Sequence, residues 1–374
     1  MSGALQEHLG YISDPIRNRL FQQAVAQAVR PGDVVVDLGC GFGVLGLMCL
    51  NAGAARVYGI DRTDAIEIAR ETASRAGYGD RYHCIRDHSF RVVLPEQVDV
   101  IICDHVGYFG FDYGIIEMVN DARQRFLKPG GRVIPGAITL QIAGISSETC
   151  RTTADAWATP EIPVEFHWLR DHGINSKIPY KFDVADLATN ATDLLTIDLF
   201  GETADYLKEA ADLVASRDGA IDGLGGWFTS ELVPGIAMSN SPLDDQAIRR
   251  EQIFLPFDDQ LELRGGDLVR ATIGARHDTA IIAWSAHNFR TGERRSHSTW
   301  RSQILAPEDL VPALMRVPRL SRFGIAAQIV ARYVDGQRTA REIENAVISD
   351  HPFLLPSEEE IRRFIRSELA RVAR

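Results

Sequence analysis

The segment Asp37-Leu38-Gly39-Cys40-Gly41-Phe42-Gly43 follows a short apolar run, Val34-Val35-Val36, and leads into a helix-forming stretch. Alternating glycines let a backbone turn sharply and leave the main chain bare to a ligand. Twenty residues beyond Gly41, a second apolar run ends in Asp61. A carboxylate there can take both hydroxyls of a ribose. Three readings compete. Gly41, Gly43 and Gly46 complete a G-x-G-x-x-G dinucleotide pattern, which would seat a pyrophosphate on a helix N-terminus. A plain glycine turn in an α/β protein is the bland one. Asp37, two residues before Gly39, would repel a pyrophosphate, so D-x-G-x-G suits a ligand with an ammonium group and no phosphate. S-adenosylmethionine is such a ligand.

A second group follows the run Val98–Cys103: Asp104, His105, Tyr108, Asp112 and Tyr113. Methyl transfer from a sulfonium is an in-line displacement that needs the acceptor about 3 Å from the methyl and a route for its proton. Asp104 is expected to orient the acceptor or hold its developing positive charge. His105 is the expected general base, since an ordinary imidazole titrates near pH 6.5. Tyr108 and Tyr113 would shape the pocket. The bland alternatives are a turn cap for Asp104, a hydrogen-bonded loop histidine for His105 and packing for Tyr108. His287 and His297 would either approach from the far side or be surface histidines.

Elements must hold these groups in place. Val34–Leu38, Arg56–Asp61, Tyr82–Arg86 and Val98–Cys103 read as strands. Helical stretches ending at Asn51 and at about 64–76 and 114–127 alternate with them, and Lys128-Pro129-Gly130-Gly131 reads as a turn. Such alternation predicts βαβ units and a parallel sheet. After about 137, Thr139–Ile145, Leu194–Leu199, Gly226–Val233, Gln252–Pro256, Leu268–Gly274 and Ala280–Ser285 read as strands separated by Gly and Pro turns, an antiparallel barrel or sandwich. Residues 150–190 form an excursion from it. Ile325–Tyr333, Ala340–Ile348 and Ser357–Arg371 read as amphipathic helices, with Ser357 and Glu360 as a capping box. The expected fold class is α/β: a Rossmann-like domain with an N-terminal helix over 1–136, a β-barrel or sandwich over 137–305 and a helical, winged-helix-like segment over 306–374.

The chain has 374 residues with 51 acidic and 40 basic side chains, net −11. That balance argues against nonspecific nucleic-acid binding, which needs a basic face. No stretch approaches the roughly 20 apolar residues of a membrane span, and the N-terminus does not read as a signal peptide. Five cysteines at wide spacing fit neither a disulfide framework nor a zinc site, so no metal is expected and the reading is cytoplasmic.

The runs Val35–Gly43, Ala52–Asp61, Leu94–Ile102, Val106–Phe109 and Leu127–Pro135, in that order, resemble the protein arginine methyltransferases, a class I methyltransferase domain followed by a β-barrel. The resemblance spans about 10–285. It implies S-adenosylmethionine as cofactor and S-adenosylhomocysteine as product. By position, Asp14-Pro15-Ile16-Arg17 gives Arg17 to the methionine carboxylate. Asp37, Gly39, Cys40 and Gly41 would line the methionine and ribose. Asp61, with Arg62 beside it, would take the ribose hydroxyls, and Asp87, His88, Ser89 and Phe90 would lie near the adenine. It also implies a homodimer, with an arm at about 155–185 carrying Trp157, Phe166 and Trp168.

The likeness breaks at the substrate. The family grips a guanidinium with two glutamates. Here Asp104 stands at the first position, Tyr113 at the second, and Asp112 one residue early. The family's Thr-His-Trp motif is absent near Ala247-Ile248-Arg249, and Ser298-Thr299-Trp300 follows the wrong strand. The main expectation is therefore methyl transfer to nitrogen or oxygen of a small molecule or peptide in specialised metabolism. The alternatives are an arginine N-methyltransferase on free or peptidyl arginine and a non-catalytic cofactor-binding module. Tyr333–Ile343 resembles small winged-helix-like domains that hold peptide leaders; the alternative there is a helical cap.

Overall fold

Val34–Leu38 (β1) is buried at every position, as a strand must be when helices cover both faces of its sheet. The computed structural model, which describes residues 2–201, 206–276, 281–304, 317 and 319–372, sets β1 at the centre of five parallel strands. Its neighbours are Arg56–Asp61 (β2), Tyr82–Arg86 (β3), Val98–Cys103 (β4) and Leu127–Ile134 (β5), in the order β3-β2-β1-β4-β5. Around them lie the helices Ser2–Ile12 (α1), Pro15–Ala28 (α2), Val44–Asn51 (α3), Ala65–Arg75 (α4) and Ile115–Arg125 (α5). Because the strands are parallel, the residues that follow β1, β2, β3 and β4 come out at one edge, the usual place for a ligand in such a sheet. Asp14 caps α2: one carboxylate oxygen accepts the N–H groups of Ile16 and Arg17, and Pro15 opens the helix.

Lys128–Gly131 is not a turn that ends the sheet. It is an irregularity inside β5, where Leu127 pairs with Val98 and Arg132 already pairs with Val100. Gly130, at φ 75°, takes the left-handed turn this requires.

The second half is antiparallel. Ala137–Ile145 (β6), Ile178–Tyr180 (β7), Thr192–Asp198 (β8), Gly219–Val233 (β10), Ile236–Ser239 (β11) and Gln252–Leu263 (β12) make one sheet. Tyr206–Val214 (β9), Leu268–Arg276 (β13), Ile281–Asn288 (β14) and Arg294–Ser298 (β15) make another. Trp284 of β14 is buried and its indole N–H donates to the Pro256 carbonyl of β12, tying the sheets together. The strand readings fall short of what forms: β10 and β12 are longer than read, and β7, β9, β11 and β15 were not read. The glycine-rich start of β10 extends the strand because it lies between β6 and β12. β9 carries Lys208, Glu209 and Asp212 and is mostly exposed, so its apolar signal is weak. β15 is the short, polar edge strand. Ala280, expected to open β14, lies outside the described residues.

The excursion carries the short helices Glu148–Ala154 (α6) and Arg170–Gly173 (α7), with Trp157, Phe166 and Trp168 all exposed. The chain divides into a unit of residues 1–304 and a unit of 305–374. The first holds the parallel and antiparallel halves on one continuous core: Phe21, Ile102, Ile134, Ile138 and Leu224 belong to the same buried cluster. In the second, Arg322–Ala331 (α8), Ala340–Asp350 (α9) and Glu358–Val372 (α10) bury Val330, Ile343, Val347, Ile361 and Ile365 among themselves. Ser357 and Glu360 form the reciprocal cap. No strand occurs among the described residues of this unit, so it has no wing there. No described helix is long and apolar enough to cross a membrane.

Packing is close under the glycine segment. The Tyr82 ring is wedged between Gly46 and Gly59, where an added Cβ would come within 2.5 Å of it on either side. Gly59→Ala should therefore cost about 1–3 kcal/mol, read as a lowered urea midpoint with the slope unchanged.

Candidate active site

The glycine segment is bare backbone in left-handed conformation, with Gly39 at φ 62° and Gly41 at φ 52°. Neighbours approach it closely: a Cβ at Gly39 would meet His105 Nε2 at 1.9 Å, and one at Gly41 would meet His8 Cε1 at 2.4 Å. The His8 ring stacks on Phe42 at 4.0 Å between centroids. Asp37 supports this segment from within the protein. Its Oδ2 accepts the Gly46 N–H at 2.8 Å and the Tyr82 hydroxyl at 3.2 Å. Burial pushes its carboxyl up to about 7, against the lowering effect of those two bonds. Burial also keeps the Cys40 thiol protonated. All five cysteines are free.

Asp61 ends β2 at the same edge. Its Oδ2 accepts the Gly41 N–H at 2.9 Å, and its Oδ1 accepts the N–H and hydroxyl of Thr63. Arg62 is exposed. After β3, Asp87 accepts the His88 N–H, the rings of His88 and Phe90 stack at 5.0 Å, and Ser89 is buried with its carbonyl accepting from Arg125.

Asp104 follows β4 and is the most constrained charge in the site. Arg17 Nε donates to its Oδ2 at 2.7 Å, while Arg250 donates to Oδ1 at 3.4 Å and to Oδ2 at 3.1 Å. All three side chains are at most 10% exposed. Burial alone would raise the Asp104 carboxyl. Arg250 and then Arg17 outweigh it and hold the group below the usual carboxylate range. A lone Asp104 between two buried guanidiniums is more than a turn cap. Arg17 donates its Nε–H to Asp104 and an Nη1–H to the Asn18 side chain. His105 lies over Gly39, its Nε2 3.3 Å from the Gly39 carbonyl oxygen.

Asp112 does not face the site with a free carboxylate. Its Oδ1 accepts the N–H groups of Tyr108 and Phe109, and its Oδ2 pairs with Lys177 at 2.7 Å. It braces the loop that carries Tyr108. The rings of Tyr108 and Tyr113 meet edge to face at 5.6 Å. Tyr11, Asp104, Gly107, Tyr108, Tyr113 and Arg250 line a pocket of about 20 Å³.

His297 is not a surface histidine. It is buried against Phe257 and Trp284, with Nε2 accepting the Asp258 N–H at 3.3 Å and lying 3.2 Å from Oδ1 of the same residue. His287 packs against Phe289 on β14. Ser298 caps the short turn holding Thr299 and Trp300, which makes that run structural. Arg250, Lys177 and Tyr82 were missed in the sequence. Arg250 stands next to the position where the substrate motif is absent, and that was its only signal. No group of three or more His, Cys, Asp or Glu among the described residues is gathered as a metal site.

The family model for ribosomal protein L11 methyltransferase (PrmA) matches residues 19–170. The chain is 26% identical to protein arginine N-methyltransferase 1 of Dictyostelium discoideum over 274 residues, 71% of this chain and 80% of that one. It is 38% identical to probable protein arginine N-methyltransferase 6 of Arabidopsis thaliana over 141 residues, 37% of this chain and 32% of that one. The fold is similar to that solved for the Trypanosoma brucei PRMT1 enzyme–prozyme heterotetrameric complex with AdoHcy, with TM-score 0.69 and 19% identity over 78% of this chain and 96% of that one. It is likewise similar to Arabidopsis thaliana protein arginine methyltransferase 10, with TM-score 0.67 and 18% identity over 79% and 98%. The protein is a class I, S-adenosylmethionine-dependent methyltransferase. Its two halves follow the plan of the protein arginine methyltransferases.

The residues fit that cofactor. Bare glycine backbone at 39–41 and the Asp61 carboxylate at the end of β2 offer main-chain approach and hydroxyl acceptors at one edge. When bound, S-adenosylmethionine supplies a methyl group on a positive sulfonium. Asp104, buried and held ionised by its two arginines, stands beside that edge.

Asp37 carries a pH dependence. In the folded chain it keeps its proton to about pH 7, whereas its ordinary value is 3.8. Between those values the unfolded chain binds fewer protons, so stability falls as pH rises through the window and stays lowered above it. Asp37→Asn should raise Tm by about 5 °C at pH 8 and by far less at pH 4, measured by thermal melts of both proteins.

Proposed function

We propose that the protein transfers a methyl group from S-adenosylmethionine to a guanidinium nitrogen of arginine in a peptide or protein. The observation that carries this is the Asp104 seat, a buried and ionised carboxylate walled by Tyr11, Tyr108 and Tyr113. It already holds a guanidinium, that of Arg250, on both oxygens. Carboxylate pairing and an aromatic wall are what a guanidinium needs. The names of relatives aligned over 71–78% of the chain point the same way, and favour arginine over a small molecule of specialised metabolism. Arg17 is assigned to the methionine carboxylate, Asp61 to the ribose, and residues 87–90 to the adenine. His105 is assigned the departing proton. If Nε2 donates to the Gly39 carbonyl, Nδ1 is left as the acceptor.

One observation favours a second reading, an amine or hydroxyl acceptor on a small molecule or peptide. Asp112 is committed to Lys177 and to the loop backbone, which leaves Asp104 without a second carboxylate. The two readings separate in one assay. An arginine peptide should gain methyl mass with S-adenosylmethionine and its lysine counterpart should not; methylation of small amines with none on arginine would overturn the first reading. Asp104→Ala should abolish turnover and cost about 3–5 kcal/mol of stability, because it leaves two buried guanidiniums unpaired.

A homodimer is part of the proposal, supported by the exposed Trp157, Phe166 and Trp168 of the excursion, since large aromatics dominate interfaces. Light scattering at micromolar concentration should give twice the chain mass; a monomer would overturn the dimer. The free cysteines support a reducing, cytoplasmic setting.

A further inference from the structure

Arg250 makes with Asp104 the contact that a substrate guanidinium would make. Two of its nitrogens reach the two carboxylate oxygens, at 3.4 and 3.1 Å. Its guanidinium carbon lies 5.2 Å from the centre of the Tyr11 ring. The pocket left beside it, about 20 Å³, has room for about one water molecule. An arginine side chain cannot reach Asp104 while Arg250 is seated there.

The backbone that delivers Arg250 is fixed. The Arg249 N–H donates to Asp14 Oδ2 at 2.6 Å, and the Arg250 N–H donates to the Ile248 carbonyl at 2.8 Å. The side chain beyond Cβ is the part with freedom to leave. Asp104 would keep Arg17 as a partner when it does, through the separate bond at 2.7 Å.

We propose that Arg250 is an internal occupant of the acceptor seat: the substrate must exchange its own guanidinium for that of Arg250 on Asp104. The inference rests on the arginine reading above. Selectivity lies in the seat that Arg250 fills, with or without the occupant. A second guanidinium restores both contacts to Asp104, whereas a lysine ammonium is a point charge without the planar fork and restores them poorly. The internal occupant therefore competes with every acceptor but is replaced in kind only by arginine.

The test uses the full chain, Arg250→Gln and Arg250→Lys, each checked for fold by circular dichroism. Binding of N-acetyl-arginine amide and N-acetyl-lysine amide is measured by calorimetry with and without S-adenosylhomocysteine, and KM is measured on matched arginine and lysine peptides. Removing an occupant that holds the seat most of the time should tighten arginine-amide binding and lower the arginine-peptide KM by about tenfold in Arg250→Gln. Lysine-amide binding should tighten by the same factor, so the preference for arginine over lysine should stay as it is, with the affinities of Arg250→Lys in between. Unchanged or weaker binding of the arginine amide in a folded Arg250→Gln protein overturns the inference, even if arginine is methylated. Tighter binding with no methyl on arginine supports the occupied seat and overturns the arginine reading instead.

Discussion

A carboxylate buried between two arginines has to be satisfied before anything else at this site can be arranged. Asp104 draws one partner from α2 and one from the segment after β11, so three distant stretches of chain converge on three oxygen–nitrogen contacts. Removing any member leaves a charge in a poor solvent for charges. That requirement ties α2 and the segment between β11 and β12 to the end of β4. The cofactor half and the antiparallel half share one core beneath it.

The glycine segment answers a different demand, that of backbone approach. Its support is indirect: the Asp37 carboxyl and the Tyr82 ring sit among Gly43, Gly46 and Gly59, so the loop rests on a filled space and not on side chains of its own. An acid that keeps its proton up to about pH 7 serves there, because below that pH it accepts two hydrogen bonds without requiring a buried counter-charge. Asp61, by contrast, ends its strand half-buried and bonded to the loop through Gly41. One acid shapes the loop from inside and the other stands at its edge.

Much of this was legible in the chain. β1 to β4 and their helices follow from apolar runs and alternation, and the C-terminal cap follows from Ser357 and Glu360. What failed has a common cause. Long-range pairing decides whether the glycines of β10 extend or turn, and whether a polar run such as Arg294–Ser298 becomes an edge strand. The same holds in the site. Asp104 and Tyr108 announce themselves by following a buried strand. Arg250 lies 146 residues away, and nothing local distinguishes it from Arg249. The commitment of Asp112 to Lys177 is equally invisible, since the partner lies in the excursion.

Asp14 makes one further consequence plain. One of its oxygens begins α2 and the other holds the main chain at Arg249. The loop that carries Arg250 is thus anchored by its backbone at Arg249 as well as by the Arg250 side chain. The exposed side chain of Arg249 can be exchanged without redirecting the loop, since Asp14 holds the main chain there and not the side chain.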